Sequence, residues 1–70
     1  MNKRTIKSVE RRLLKSMRED EIQLRLLLNT ETDGIPDQQL DGLMVKIEQF
    51  LGRIMVNQNK LMFLQDIKDE

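Results

Sequence analysis

One strong interruption divides this chain into two long segments with helical periodicity. It is the tripeptide Gly-Ile-Pro at residues 34–36. Gly adopts backbone conformations that other residues resist, and Pro is tolerated in a helix only within the first turn. The sequence therefore predicts one domain over residues 1–70, made of a helix at about 5–29, a turn at about 30–36 and a second helix at about 37–66.

The first segment has apolar residues at the three-, four- and seven-residue spacings of a helix face. They are Ile6, Val9, Leu13, Met17, Leu24 and Leu28. Charged residues cover this face at 18–21, where two capping-box spacings also occur. A continuous helix is favoured because no Gly or Pro marks a turn there, and the alternative is a three-helix bundle with a break near Asp20.

The second segment begins with Pro36 at the position that favours a first helical residue. Apolar residues then recur in alternating steps of four and three, as in a coiled-coil seam, and Phe50 widens the apolar stripe beyond that seam. A homo-oligomer interface is predicted at Leu40, Met44, Ile47, Phe50, Leu51, Ile54 and Leu61.

Apolar side chains make up 39% of the 70 residues, which is more than one pair of helices can cover. Apolar burial in so short a chain barely offsets the entropy lost on ordering it, and self-association removes that shortfall. The predicted fold class is all-α: an antiparallel two-helix hairpin that dimerises into a four-helix bundle.

The composition excludes several classes of function. The chain has no Cys and no His, so disulfides, zinc sites and the common nucleophile-base pairs are absent. The three glycines are too far apart to form a phosphate-binding loop. We therefore predict no enzymatic activity, no catalytic residue, no cofactor and no metal site.

Since no apolar run would span a bilayer or act as a signal peptide, a cytoplasmic protein with no membrane partner is expected.

The zero net charge conceals a segregation of charge along the chain. Residues 1–18 have seven basic side chains and one acidic one, whereas residues 19–42 have one basic and seven acidic ones. One interpretation is that the basic segment pairs internally with Asp66, Asp69 and Glu70. The other is a basic stripe that neutralises the phosphates of a nucleic acid, made of Lys3, Arg4, Lys7, Arg11, Lys15 and Arg18.

A second, weaker apolar stripe lies roughly opposite the seam of the second helix. If Val45, Val56 and Phe63 stay exposed in the oligomer, they form a surface for docking a larger protein. The favoured function is accordingly an oligomeric helical adaptor or regulator that binds a protein partner. The alternative is a nucleic-acid-binding regulator of the phage or plasmid type that uses the basic first helix.

Overall fold

The computed structural model describes residues 2–69, which form two α-helices joined by one turn and no strand. Helix α1 spans Lys3–Leu28 and helix α2 spans Asp37–Lys68. The prediction of an all-α hairpin is confirmed. Helix α1 continues without interruption through Asp20, so the three-helix alternative is not adopted.

The start of α1 is fixed by a side-chain cap. The Asn2 side-chain oxygen accepts hydrogen bonds from the backbone N–H groups of Arg4 and Thr5, at 2.9 and 3.3 Å. These two donors would otherwise lack a partner in the first turn. The helix therefore begins two residues earlier than the apolar periodicity alone indicates.

The turn combines a capped helix end with one left-handed residue. Asn29 caps α1 through its backbone N–H, and the Thr30 hydroxyl donates to the Leu26 carbonyl at 3.2 Å. Gly34 has φ +78°, a conformation that a residue with a Cβ resists. Pro36 is the N-cap of α2, one residue before the first helical position, and its fixed φ of −60° directs the chain into the second helix.

The two helices run antiparallel along their whole length. Contacts join Asp20 to Arg53, Ser16 to Asn57 and Glu10 to Lys68. Residues nearer the start of α1 therefore contact residues nearer the end of α2. The molecule measures 54 × 15 × 12 Å between Cα atoms. We call the end that holds residues 29–36 the turn end, and the end where α1 begins and α2 finishes the open end.

Little of this elongated molecule is buried. Among the described residues, the apolar side chains that are shielded from solvent are Ile6, Leu24 and Leu61. The radius of gyration is 16.3 Å, whereas a compact domain of this length has about 11 Å. A hairpin of two helices thus leaves most of its apolar residues at least partly exposed.

Candidate interaction surfaces

The inward faces of both helices follow a heptad pattern. Most buried and half-buried side chains of α1 are spaced four and three residues apart, as are most of those of α2. In α1 they include Ile6, Glu10, Leu13, Met17, Asp20, Leu24 and Leu27, and in α2 Leu40, Leu43, Ile47, Phe50, Ile54, Asn57, Leu61 and Leu64. We refer to these two sets as the seam.

The residues predicted to form an oligomer interface divide into two groups. Leu40, Ile47, Phe50, Ile54 and Leu61 lie in the seam, where they face α1 of the same chain. The other two, Met44 and Leu51, lie beside the seam and are 51% and 44% exposed. A role for either group in contacts between copies stays a prediction.

On α2, one row of residues lies on each side of the central row Leu40, Ile47, Ile54 and Leu61. The structure packs one of these two rows on α1. The sequence indicated the row through Met44 and Leu51, but this row continues as Gln58 and Gln65. The row that packs on α1 contains Leu43, Phe50, Asn57 and Leu64. Three of those four side chains are apolar, against two of four in the other row, so packing this row buries more apolar surface.

Two acidic residues, Asp20 and Glu10, lie in the seam of α1. The Asp20 side chain is 6% exposed, and its Oδ1 lies 3.4 Å from Nη2 of Arg53. Its Oδ2 is buried without a hydrogen-bond partner. In the sequence, Asp20 belongs to the charged run that covers the apolar face at 18–21, and its spacing of three from Met17 and four to Leu24 is the signal that places it inward.

Polar contacts in the seam continue toward the open end. The Asn57 amide donates to the Ser16 hydroxyl at 3.5 Å. Lys68 Nζ lies 3.7 Å from Oε1 of Glu10, an atom that is otherwise buried without a hydrogen bond. Each of these polar contacts joins one position along α1 to one position along α2. Together they favour a single register between the helices.

Exposed apolar side chains lie along one side of the seam. Leu14, Leu28, Met44 and Leu51 each follow a seam residue by one position, and in an antiparallel pair such positions of both helices lie on the same side. Met55 and Met62 lie next to them on α2. We call these six residues, which are 44–62% exposed, the flank face: Leu14, Leu28, Met44, Leu51, Met55 and Met62.

The opposite side of the seam contains a polar depression. Ser16, Arg53 and Lys60 each precede a seam residue by one position, and they line one shared depression of about 570 Å³ beside Gly52. Their presence in one depression confirms that positions preceding the seam converge on this side. The flank face therefore lies on the side of the hairpin away from this depression.

The predicted docking residues are exposed on the outside of α2. Val45, Val56 and Phe63 are 52%, 52% and 64% exposed, and Val56 also borders the polar depression. Their helical positions lie away from the seam, and we call these three residues the back stripe. The structure thus leaves two separate apolar surfaces, the flank face and the back stripe.

The six residues of the predicted basic stripe are all exposed at the open-end half of α1: Lys3, Arg4, Lys7, Arg11, Lys15 and Arg18. None of them takes part in the three ion pairs found within residues 2–69. Glu70 lies outside the described residues. The ion pair nearest the open end has the opposite sense from the expected one, since its acid, Glu10, belongs to α1 and its base, Lys68, belongs to α2.

The fold converts the charge segregation of the sequence into a dipole along the molecule. The turn-end half, residues 19–52, has two basic and eight acidic side chains, a net charge of −6. The open-end half, counted over residues 2–18 and 53–69, has ten basic and three acidic side chains, a net charge of +7. The hairpin midpoint coincides with the place where the charge of α1 changes sign.

Within residues 2–69, acidic side chains form no cluster of three that would hold a metal ion. Neither of the two helices that the structure describes has the length and apolarity needed to cross a bilayer. Comparison of the chain with protein-family models, with curated proteins and with solved structures gave no match.

Proposed function

We propose that this chain is a small non-enzymatic protein-interaction module. In this proposal two hairpins pair into a four-helix bundle, and the bundle binds a larger protein as an adaptor or regulator. The flank face serves the contact between copies, and the back stripe serves the contact with the partner. The two faces point in different directions from α2, so both contacts are compatible with one assembly.

The observation that carries the proposal is the surplus of exposed surface. The hairpin exposes 6073 Å², whereas a compact monomer of 8.3 kDa exposes roughly 4600 Å². Twelve large apolar side chains of the described residues contribute to this surface. Where such side chains form contiguous patches, they are typical of interaction sites, since isolated proteins seldom leave large apolar patches in water.

The side of the hairpin that carries the flank face is large enough for a stable interface. Its outline of 54 by 15 Å between Cα atoms covers roughly 800 Å², and specific protein interfaces bury about 800 Å² on each partner. A second hairpin laid on this face would give each helix two neighbours, which suits an apolar stripe wider than a two-helix seam. This supports a dimer of hairpins over a lone hairpin.

The back stripe supports partner binding because pairing through the flank face leaves it exposed. Val56 and Phe63 are seven residues apart and lie on the same line of α2, as anchors of a helix-docking surface do. Partner contact at this line would bury two large apolar side chains. In many interfaces a few buried anchor residues account for most of the binding energy.

The test is capture of a protein partner from the source cells with three purified variants. Val56→Ser combined with Phe63→Ser should lose the partner that the wild type retains. The control Ile22→Ser, which removes an equally exposed apolar residue from the outside of α1, should retain it. Circular dichroism must show equal helix content in all three. A folded Val56→Ser, Phe63→Ser variant that captures the same partner would refute the docking role.

The basic stripe supports a second candidate, a regulator that binds nucleic acid. Its side chains are exposed and take no part in the ion pairs within residues 2–69, so their charge is available to phosphates. The test is fluorescence anisotropy with labelled duplex and single-stranded probes at low salt. Replacement of Arg4, Lys7 and Arg11 by Gln should abolish binding, whereas the same replacement of Lys46, Lys60 and Lys68 should not. Equal binding by the two triple variants would refute this candidate.

A further inference from the structure

The charge dipole of the hairpin affects how two copies orient relative to each other in a dimer. The flank face runs along the molecule, with Leu28 and Met44 toward the turn end, and Leu14 and Met62 toward the open end. A twofold axis can place two such faces together in two ways. Either both turn ends lie at the same end of the dimer, or the turn end of each copy lies over the open end of the other.

We infer that the second copy packs on the flank face head to tail, with each acidic turn end over the basic open end of its partner. The inference rests on the dimer of the proposed function and adds its orientation. In the other arrangement, a half carrying −6 would face another carrying −6, and +7 would face +7. Packed helices lie about 8–10 Å apart, within about one Debye length at physiological salt, so this charge difference acts across the interface.

The charges at the edge of the flank face agree with this orientation. Lys7, Leu14, Glu21 and Leu28 follow one another at seven-residue steps on α1, so this edge has a cation toward the open end and, toward the turn end, a carboxylate that is paired with Arg25 of the same helix. Head-to-tail packing about an axis across the hairpin stacks α1 on α1 with reversed direction. Lys7 and Arg11 of each copy then approach Glu21 of the other, while Leu14 meets its own counterpart near the axis.

The orientation also gives a role to the basic stripe, which takes no part in the ion pairs within residues 2–69. The three ion pairs within residues 2–69 leave Arg4, Lys7, Arg11 and Arg18 without a carboxylate partner. A second copy supplies the acidic half that each copy cannot bring to its own open end. Charge complementarity of this kind raises the association rate and selects one orientation over another.

The test is a distance measurement between two turns in the dimer. The chain has no cysteine, so Asp33→Cys introduces a single site for a nitroxide label in the exposed turn. Light scattering first establishes the mass, and pulsed electron paramagnetic resonance then gives the distance between the labels. A dimer packed head to tail should give a distance close to the 54 Å length of the hairpin.

The possible outcomes separate the orientation from the dimer itself. A dimer whose turn labels lie within half the length of the hairpin would overturn the head-to-tail orientation and leave the four-helix bundle standing. A monomer at every concentration would overturn both. Mixing copies labelled at Asp33→Cys with copies labelled at Asp69→Cys provides the reciprocal check, because head-to-tail packing then predicts a short distance.

Salt dependence gives a second readout on unlabelled protein. Head-to-tail packing brings opposite charges together, so the dissociation constant should rise several-fold as sodium chloride increases from low to physiological concentration. With both turn ends together, like charges would be screened and the dissociation constant would fall. A dissociation constant that falls with added salt would therefore also overturn the inference.

Discussion

Asp20 occupies a seam position at which antiparallel helices usually place a leucine. One of its oxygens has no hydrogen-bond partner, and its nearest cation, Arg53, remains 62% exposed. The side chain therefore loses most of its hydration and receives one partly solvated ion pair in return. Buried pairs of this kind add little to stability but favour one arrangement of the elements that they join.

Two substitutions at this pair should change stability in opposite directions. Asp20→Leu removes the buried charge and fills the seam, so the free energy of unfolding should rise by about 1–3 kcal/mol. Arg53→Ala leaves the carboxylate without a cation and should lower it by about 1 kcal/mol. Urea unfolding at one fixed protein concentration measures both changes.

Arg25→Ala is the matched control for Arg53→Ala. It removes an arginine from an exposed pair with Glu21, whose N–O distance is 2.8 Å, and should change stability by less than about 0.5 kcal/mol. If Asp20→Leu destabilised the protein as much as Arg53→Ala, the Asp20 carboxylate would be a net stabilising group and this account of the seam would be wrong.

At the scale of the elements, the sequence predicted the hairpin but not the side of α2 that packs on α1. The two helices and the turn follow from the periodicity and from residues 34–36, because both are local properties. Either the row of Met44 and Leu51 or the row of Leu43 and Phe50 could pack on α1. The choice depends on which α1 side chains lie opposite each row. Periodicity within α2 supports both rows, so it could not make that choice.

The inward placement of the two acidic seam residues was not predicted from the sequence either. A carboxylate in a helical sequence is usually solvated, and only the spacing from neighbouring apolar residues marks Asp20 and Glu10 as inward-facing. Their placement follows from the phase set by neighbouring apolar residues and from the cations on α2, Arg53 and Lys68, that lie opposite them. The exposed candidates, by contrast, were predictable, since Val45, Val56, Phe63 and the basic stripe lie off the apolar face by position alone.

The three glycines provide a test of the turn and of α2 with one kind of substitution. Gly34→Ala forces a Cβ into a left-handed conformation and should cost about 1–2 kcal/mol. Gly42→Ala and Gly52→Ala lie within α2 with open space around the new methyl group, and each should stabilise by about 0.5–1 kcal/mol. Thermal unfolding midpoints measure the three effects, and a stabilising Gly34→Ala would contradict the turn geometry.

At the scale of the whole molecule, the hairpin lacks a closed core of its own. No described side chain is completely removed from solvent, and the exposed apolar residues of the flank face lie along one side. The same side carries the change from basic to acidic charge. Assembly through this side would supply the missing neighbours and neutralise the dipole in one step, which is why the account places both the stability and the function of the chain in contacts with other chains.

A lysine at the centre of the flank face should disrupt that assembly. Met55→Lys would bring two ammonium groups into an apolar interface near the twofold axis, and the dissociation constant of the dimer should rise at least tenfold. Ile22→Lys is the control, because Ile22 is similarly exposed but lies on the outside of α1. Sedimentation equilibrium compares the two, and equal dissociation constants would show that the flank face is not the interface.

The mass of the wild-type chain in solution shows whether the hairpin completes its fold by pairing with a second copy. Light scattering coupled to size exclusion, over a dilution series, should give twice the 8.3 kDa chain mass at tens of micromolar, together with helix content that falls as the dimer dissociates on dilution. A mass of 8.3 kDa at every concentration, with unchanged helix content and cooperative unfolding, would contradict this pairing.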